Sequence, residues 1–286
     1  MHRWAMMIFV GIAAIGLPDS GVPGLGRRAL AADTATRSQV VRQIMPSSVR
    51  VQVFSAGELR RSATGVVVQS DPGKDGAPAR AYVLTNAHVA DPSELKDVTY
   101  RVLIERRGRV ERTLPAQTVA IGKVPDVDLA LLSVDGTLPI AELGQEDGID
   151  IGDDVVVVGA PYGRSLSVSG GMVSQIEAAE SAPNTALEFK TMKTDAAIGY
   201  GSSGGGVFAV PSGRLIGIVE GYRTARVAID ERTSFDVPMP GETFVAPITK
   251  VKKFIADHLS KASLAVAVQK VAGAGAVTAK AAASPK

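Results

Sequence analysis

Tyr82-Val83-Leu84-Thr85-Asn86-Ala87-His88-Val89 is a brief run of aromatic and branched residues that closes on an imidazole. Its length and composition read as a short buried strand. Similar segments recur along the chain at Val49 to Phe54, Val66-Val67-Val68, Val102-Leu103-Ile104, Leu129 to Val134, Val155 to Val158, Leu187 to Phe189 and Leu215 to Val219. Turn signals separate them, among them Asp71-Pro72-Gly73, Asp75-Gly76, Gly144 to Gly148 and Pro211-Ser212-Gly213. Many short strands at this spacing predict an all-β sandwich or barrel and not alternating βαβ units. Two helices are expected to bracket the strands. Arg37 to Met45 carries Val40, Val41 and Ile44 at helical spacing and stops at Pro46. Further on, Ile248, Val251, Phe254, Ile255 and Leu259 fall on one helical face with Lys250, Lys252 and Lys253 on the other, as suits a helix laid against a barrel.

The chain has 286 residues, 45% of them hydrophobic, enough for one large or two modest cores. With 31 basic against 29 acidic residues the formal charge is +2, which gives no electrostatic footprint for nucleic acid. Cysteine is absent, so thiol catalysis, disulfide staples and cysteine-ligated zinc are excluded. The apolar run from Ala5 to Leu17 follows His2, Arg3 and Trp4, and Ala29-Leu30-Ala31 offers small residues at signal-peptidase spacing. These features predict a signal peptide over 1–31, cleaved after Ala31, and a periplasmic or secreted protein without stable membrane insertion after cleavage. The alternative is an anchor through an uncleaved N-terminal segment. Arg27-Arg28 lies on the wrong side of the apolar run for a twin-arginine signal. Residues 260–286, rich in Ala, Val, Gly and Lys, read as a flexible tail.

Of three histidines, His2 falls in the signal segment and His258, beside Asp257 on the closing helix, reads as a surface residue. His88 has company. Gly201-Ser202-Ser203-Gly204-Gly205-Gly206 places a hydroxyl within a glycine-rich turn, where a tight backbone path can aim two N–H groups at one point. Acyl transfer needs that arrangement: a serine nucleophile, a base for its proton, and donors for the developing oxyanion. A carboxylate should hold one tautomer of the imidazole. Asp128 opens the apolar segment Asp128-Leu129-Ala130-Leu131-Leu132, where a charge is costly unless partnered. Asp126, two residues earlier, is the alternative.

Together these segments resemble the trypsin-like serine proteases, in particular the HtrA/Deg family. Thr85-Asn86-Ala87-His88-Val89 is similar to the family's histidine motif and Asp128-Leu129-Ala130-Leu131-Leu132 to its aspartate motif. Gly159-Ala160-Pro161-Tyr162-Gly163 with Val168-Ser169-Gly170-Gly171-Met172-Val173-Ser174 resembles two further signatures, and Thr194 to Ile198 leads into the serine loop. The resemblance implies two six-stranded antiparallel β-barrels, the first over 37–145 and the second with the closing helix over 146–259. It implies catalytic His88, Asp128 and Ser203, an oxyanion hole from the N–H groups of Gly201 and Ser203, and substrate contacts from Ala197, Ile198, Gly221 and Tyr222. No metal or organic cofactor is implied. Substrates would be unfolded or extended polypeptides that add to the strand at Gly217 to Tyr222. Because Ala197 carries no charge, the residue before the scissile bond is expected to be apolar, small or medium. Family members often form trimers, so a homo-oligomer is an expectation, although no interface is legible here.

The departures matter too. Ser202 stands where the family has asparagine and digestive relatives aspartate, which removes the ion pair that switches zymogens on. Gly199, Tyr200 and Gly206 add flexibility that leaves open whether the oxyanion hole exists before substrate binds. Glu220 adds a carboxylate whose orientation the sequence leaves open. Residues 223–242 read as a regulatory loop or a mobile excursion. The residues after Leu259 are too few for the PDZ domain common in the family, so regulation by that module is not expected. Two other readings compete with an endopeptidase. One is a catalytically dormant protease-fold binding module or holdase. The other is a lipase or esterase, whose G-x-S-x-G elbow Gly201 to Gly205 formally satisfies, but whose histidine comes last in the chain.

Overall fold

The computed structural model describes residues 35–73, 78–178, 189–210, 212–228 and 233–259. The expected signal segment with its cleavage site, the turn at Asp75-Gly76, Leu187, Pro211 and the expected tail lie outside these residues.

Twelve strands form two closed antiparallel barrels of six. The first contains β1 (Ser48–Ser55), β2 (Glu58–Asp71), β3 (Arg80–Thr85), β4 (Val98–Arg106), β5 (Arg109–Ile121) and β6 (Ala130–Asp135), closed in the order β1-β2-β3-β6-β5-β4. The second contains β7 (Asp154–Gly159), β8 (Ser167–Ala178), β9 (Phe189–Thr194), β10 (Gly206–Ala209), β11 (Leu215–Ala228) and β12 (Ser234–Pro247), closed as β10-β11-β12-β9-β8-β7. The fold class expected from the sequence is therefore present. Closure removes the open sheet edges that would otherwise invite pairing with other chains.

The alternation of strand side chains builds two cores. Val49, Val51, Val53, Val67, Val83 and Leu132 fill the first barrel. Their neighbours Val66, Val68, Tyr82, Leu84, Leu129 and Leu131 face outward and join the core of the second barrel, with Val156, Val158, Phe208 and Ile218. The seam between the barrels is thus continuous with the second core.

Helix α1 (Arg37–Ile44) begins with a capping box: the Thr36 hydroxyl accepts from Gln39 N and the Gln39 side chain accepts from Thr36 N. Its grouping with the first barrel follows chain order and not packing, because Val40 and Ile44 bury into the second cluster. The short helix α2 (Ala87–Ala90) carries His88. A third helix, α3, covers residues 248–259 and buries Ile248, Val251, Phe254 and Leu259 as the pattern predicts. Lys250 departs from that pattern, since it turns inward to a carboxylate on β11.

The segment expected to be a loop over 223–242 is largely a continuation of the β11–β12 ladder, with Ala225 opposite Val237 and Val227 opposite Phe235. Mutual pairing orders residues whose own sequence, with Pro238 and Pro240, reads as irregular.

Candidate active site

Asn86 caps the α2 turn and is fully buried, and its Nδ2 donates to the Asp128 carbonyl at 2.7 Å. That bond ties the end of β3 to the segment entering β6. Asp128 then receives two hydrogen bonds from one residue: His88 N at 2.9 Å on Oδ1, and His88 Nδ1 at 2.7 Å on Oδ2. Asp126 is exposed, and it is the Asp128 carboxylate that meets the His88 ring. The Asp128 side chain is 13% exposed and that of His88 42%, so the carboxylate is sheltered while the ring remains open to solvent. With Nδ1 engaged as donor to the carboxylate, Nε2 is left as the acceptor position.

The serine loop belongs to the second barrel, between β9 and β10, but the first barrel holds it. Thr64 of β2, fully buried, donates its N–H to Ser203 O at 2.9 Å and its hydroxyl to Gly201 O at 2.8 Å. The same hydroxyl accepts from Ala160 N at 2.9 Å, and Thr85 Oγ1 donates to Thr64 O at 2.8 Å. No local pattern marks Thr64, a polar residue inside an ordinary strand. Its importance comes from the two elements that converge on it.

Within the loop, N–H groups alternate in their use. Ser202 N donates to Gly199 O at 3.0 Å and Gly204 N to Val219 O at 3.0 Å. The N–H groups of Gly201 and Ser203 have no acceptor among the described residues. Two glycines make this path possible. Gly201 has φ +93°, and a Cβ there would come within 2.5 Å of Ala160 O. Gly204 has φ +79°, and a Cβ would meet Thr64 O at 2.2 Å. Ser202 is buried, and its hydroxyl accepts from Gly199 N at 3.3 Å, so it braces the loop from within. No hydrogen bond joins Ser203 Oγ to His88 among the described residues; bonds of this kind are often long before substrate arrives and tighten with it.

Tyr162 N donates to Tyr200 O at 2.5 Å, which fixes the carbonyl just before Gly201. Tyr162 adopts φ +57°, a region costly for a residue with a side chain, and is held there by Gly163 N and Arg164 N bonding back to residues 160 and 161. Tyr200 meets Tyr222 edge to face at 5.6 Å between ring centres. Burial pushes the Tyr222 phenol well above its ordinary range, and the nearby Tyr200 and Tyr162 phenols add to the effect. Ala197 is exposed beside the loop, Ile198 packs partly against the second core, and Gly221 faces open space. His258 sits partly buried with Nδ1 on Phe254 O at 2.8 Å, remote in sequence from the loop and bonded to its own helix.

Glu220 is the residue whose orientation the sequence left open. Its side chain points inward, and burial raises its carboxyl above the usual range; Lys250 opposes that shift, the charge of Asp128 adds to it, and His88 opposes it.

Comparison with known proteins gives a consistent picture. The family described as "Trypsin-like peptidase domain" matches residues 63–218. "Serine protease HTRA1" of Xenopus tropicalis is 27% identical over 235 residues, 79% of this chain and 44% of that protein. A "Probable periplasmic serine endoprotease DegP-like" of Ectopseudomonas mendocina (strain ymp) is 37% identical over 206 residues, covering 71% of this chain and 36% of the relative. The chain thus spans less than half the length of these curated relatives. Among solved structures, the serine endoprotease from Yersinia pestis superposes with a TM-score of 0.56 at 26% identity, over 78% of this chain and 66% of the other. An HtrA-type protease solved with a tripeptide gives the same TM-score and identity, over 78% and 63%.

Proposed function

From the premise that this chain belongs to the trypsin-like peptidase family, we propose that it is an exported serine endopeptidase that cleaves unfolded or extended polypeptides. The observation that carries the reading is the Asp128–His88 pair at 2.7 Å on one barrel, with the Ser203 loop stitched to the same barrel through Thr64.

The chemistry follows from the groups in place. Ser203 Oγ attacks the scissile carbonyl carbon while His88 Nε2 takes its proton. Asp128 keeps Nδ1 protonated and stabilises the imidazolium. The carbonyl oxygen becomes an oxyanion and is received by the free N–H groups of Gly201 and Ser203. Collapse of the tetrahedral intermediate expels the amine, which takes the proton from His88 and leaves an acyl-enzyme on Ser203. Water, deprotonated by His88, then attacks the ester; a second tetrahedral intermediate releases the acid and returns the proton to Ser203. Each donor of this kind is worth about 2.7–4 kcal/mol of barrier.

Substrate backbone would add along β11 near Gly221, where no side chain crowds the strand. Ala197 and Ile198 would border an uncharged pocket that favours a small or medium apolar residue. Tyr222 would form its wall. Export follows from the sequence of 1–31, and DegP-like relatives named as periplasmic agree with it. Among the described residues no helix is long and apolar enough to cross a membrane.

The test is labelling by a fluorophosphonate probe, with digestion of an unfolded protein in parallel. Both are expected in the mature protein and neither in Ser203→Ala. Absence of labelling in the unmutated protein would transfer the reading to a dormant binding module built on the same fold.

A further inference from the structure

The two donors expected to receive the oxyanion are fixed in different ways. Ser203 N shares its peptide plane with the Ser202 carbonyl, which accepts from Gly205 N at 2.9 Å, so the loop itself sets that plane. Gly201 N shares its plane with the Tyr200 carbonyl. In a trans peptide the N–H and the C=O point in opposite directions, so whatever grips one aims the other. The grip here comes from outside the loop, from Tyr162 N at 2.5 Å. It is the single hydrogen bond on that plane among the described residues, since Gly201 N has no acceptor there. Thr64 holds Gly201 O, but that oxygen belongs to the next plane, and the glycine between the two planes lets them turn against each other.

Little of Tyr162 itself secures this donor. The residue is 75% exposed, and its φ of +57° is costly with a side chain. Among the described residues, the other polar contacts that fasten 160–166 come from the first barrel. Ala160 N donates to Thr64 Oγ1 at 2.9 Å, Arg50 Nη1 of β1 to Gly163 O at 2.6 Å, Ser165 Oγ to Gly108 O at 3.1 Å, and Leu166 N to Glu105 Oε2 of β4 at 2.9 Å. Arg50 and Glu105 are themselves an ion pair, with side chains 11% and 2% exposed, so their two contacts act together. The turn is also close on its other side. A Cβ on Gly201 would come within 2.5 Å of Ala160 O and 3.1 Å of Gly163 N, so a displaced turn presses on Gly201 directly.

We propose that Arg50, braced by Glu105, is a positioning residue for the oxyanion hole: by seating Gly163 O it sets the Tyr162 N–H, which grips the Tyr200 carbonyl and so aims the Gly201 N–H at the oxyanion. The role rests on the peptidase reading above, but the chain of contacts behind it, from β1 to the plane of residues 200 and 201, does not depend on turnover. An ion pair buried in the first barrel thereby governs one donor of the second barrel's loop and leaves the other, Ser203 N, to the loop. Releasing the clamp should therefore cost one donor only. That bounds the effect, because loss of a whole oxyanion donor slows the reaction by about 10²–10³-fold and a freed plane still visits the productive orientation.

The test is Arg50→Met/Glu105→Leu, which removes both arms of the clamp and leaves no buried charge unpaired, with folding checked by far-UV circular dichroism. Fluorophosphonate labelling should slow by about 10–100-fold relative to the parent. Arg50→Lys keeps a cation beside Glu105 but not the planar fork that spans Glu105 and Gly163 O. It should fall between, slower by about 3–10-fold, and it decides the matter should the double variant fail to fold. A second readout needs no turnover. Only two tyrosines precede a glycine, Tyr162 and Tyr200, so isotope labels confined to the tyrosine carbonyl carbon and the glycine nitrogen leave two carbonyl-correlated amide signals in the NMR spectrum, Gly163 and Gly201. Tyr162→Phe identifies them by removing the Gly163 signal. In Ser203→Ala protein the Gly201 signal should shift or split when the double substitution is added and lie closer to its parent position with Arg50→Lys. A Gly201 signal that stays within its own linewidth, or labelling within about twofold of the parent in folded variants of a parent that labels, would overturn the inference. A parent that never labels discards the peptidase and leaves the Gly201 signal to decide the clamp.

Discussion

Replacing Glu105 with leucine should weaken the molecule far more than a single charge on a strand would suggest. Glu105 of β4 is 2% exposed and pairs with Arg50 of β1, 11% exposed. Its second oxygen accepts from Leu166 N at 2.9 Å, and Arg50 Nη1 donates to Gly163 O at 2.6 Å. One ion pair on the first barrel thus holds the middle and the far end of the segment joining β7 to β8. Removing the carboxylate strands a buried guanidinium, a loss of about 3–5 kcal/mol. It also leaves Leu166 N–H without its acceptor, for which about 1 kcal/mol is a low figure. Apolar burial of the new leucine offsets part of this, so we expect a net loss of about 4 kcal/mol. At roughly 2–4 °C per kcal/mol for a protein of this size, the unfolding midpoint should fall by about 8–16 °C. The double variant Arg50→Met/Glu105→Leu should recover at least half of the loss, because a buried pair exchanged for apolar groups is often neutral. The assay is thermal and urea unfolding by far-UV circular dichroism in a Ser203→Ala background, which prevents self-digestion. A loss under about 1 kcal/mol for Glu105→Leu, or a double variant as unstable as the sum of the singles, would refute the reasoning.

Thr64→Val removes the hydroxyl that serves Gly201 O and Ala160 N, so fluorophosphonate labelling should slow by about 10–100-fold, the equivalent of one or two lost hydrogen bonds at about 1.4 kcal/mol per tenfold. A rate within twofold of the parent would show that the loop holds itself. Gly204→Ala should abolish labelling while leaving most barrel structure, since its Cβ would lie 2.2 Å from a backbone oxygen. Gly57→Ala serves as the control. It has φ +84° but nothing within 4 Å, so it should only destabilise, by about 1–2 kcal/mol. Glu220→Gln should gain stability relative to the parent as pH rises. The parent carboxyl titrates higher folded than its ordinary value of 4.5, so its charge penalises the fold above the folded value and not below the unfolded one. Each pH unit between the folded and unfolded midpoints corresponds to about 1.4 kcal/mol, so a stability difference that stays constant from about pH 4 to about pH 8 would argue against that burial.

The sequence was most legible where a single residue carried a physical contradiction. Asp128 at the entrance to an apolar strand demanded a partner, and His88 is that partner at 2.7 Å. Strands with dense branched side chains, such as β3, β6 and β7, also announced themselves. The less legible ones were ordered by their neighbours. β5 is mostly exposed along its first half and β8 contains Gly170-Gly171, so neither shows a clear apolar alternation, yet each closes a barrel through pairing. The β11–β12 ribbon read as a loop for the same reason. Thr64 and Lys250 were invisible because their roles depend on contacts with elements 96 and 30 residues away, Ala160 and Glu220, that no local pattern encodes.

The two cores are not equivalent, and that asymmetry bears on how the molecule is made. The first barrel encloses its own apolar interior, whereas the second shares its interior with the outward faces of β2, β3 and β6. During synthesis the first half can therefore close alone and offer a finished wall, on which the later half condenses. For the proposed chemistry this order is protective. A partly made chain holds a base and its carboxylate but not Ser203, and the loop that carries Ser203 meets its Thr64 brace on the wall of the first barrel.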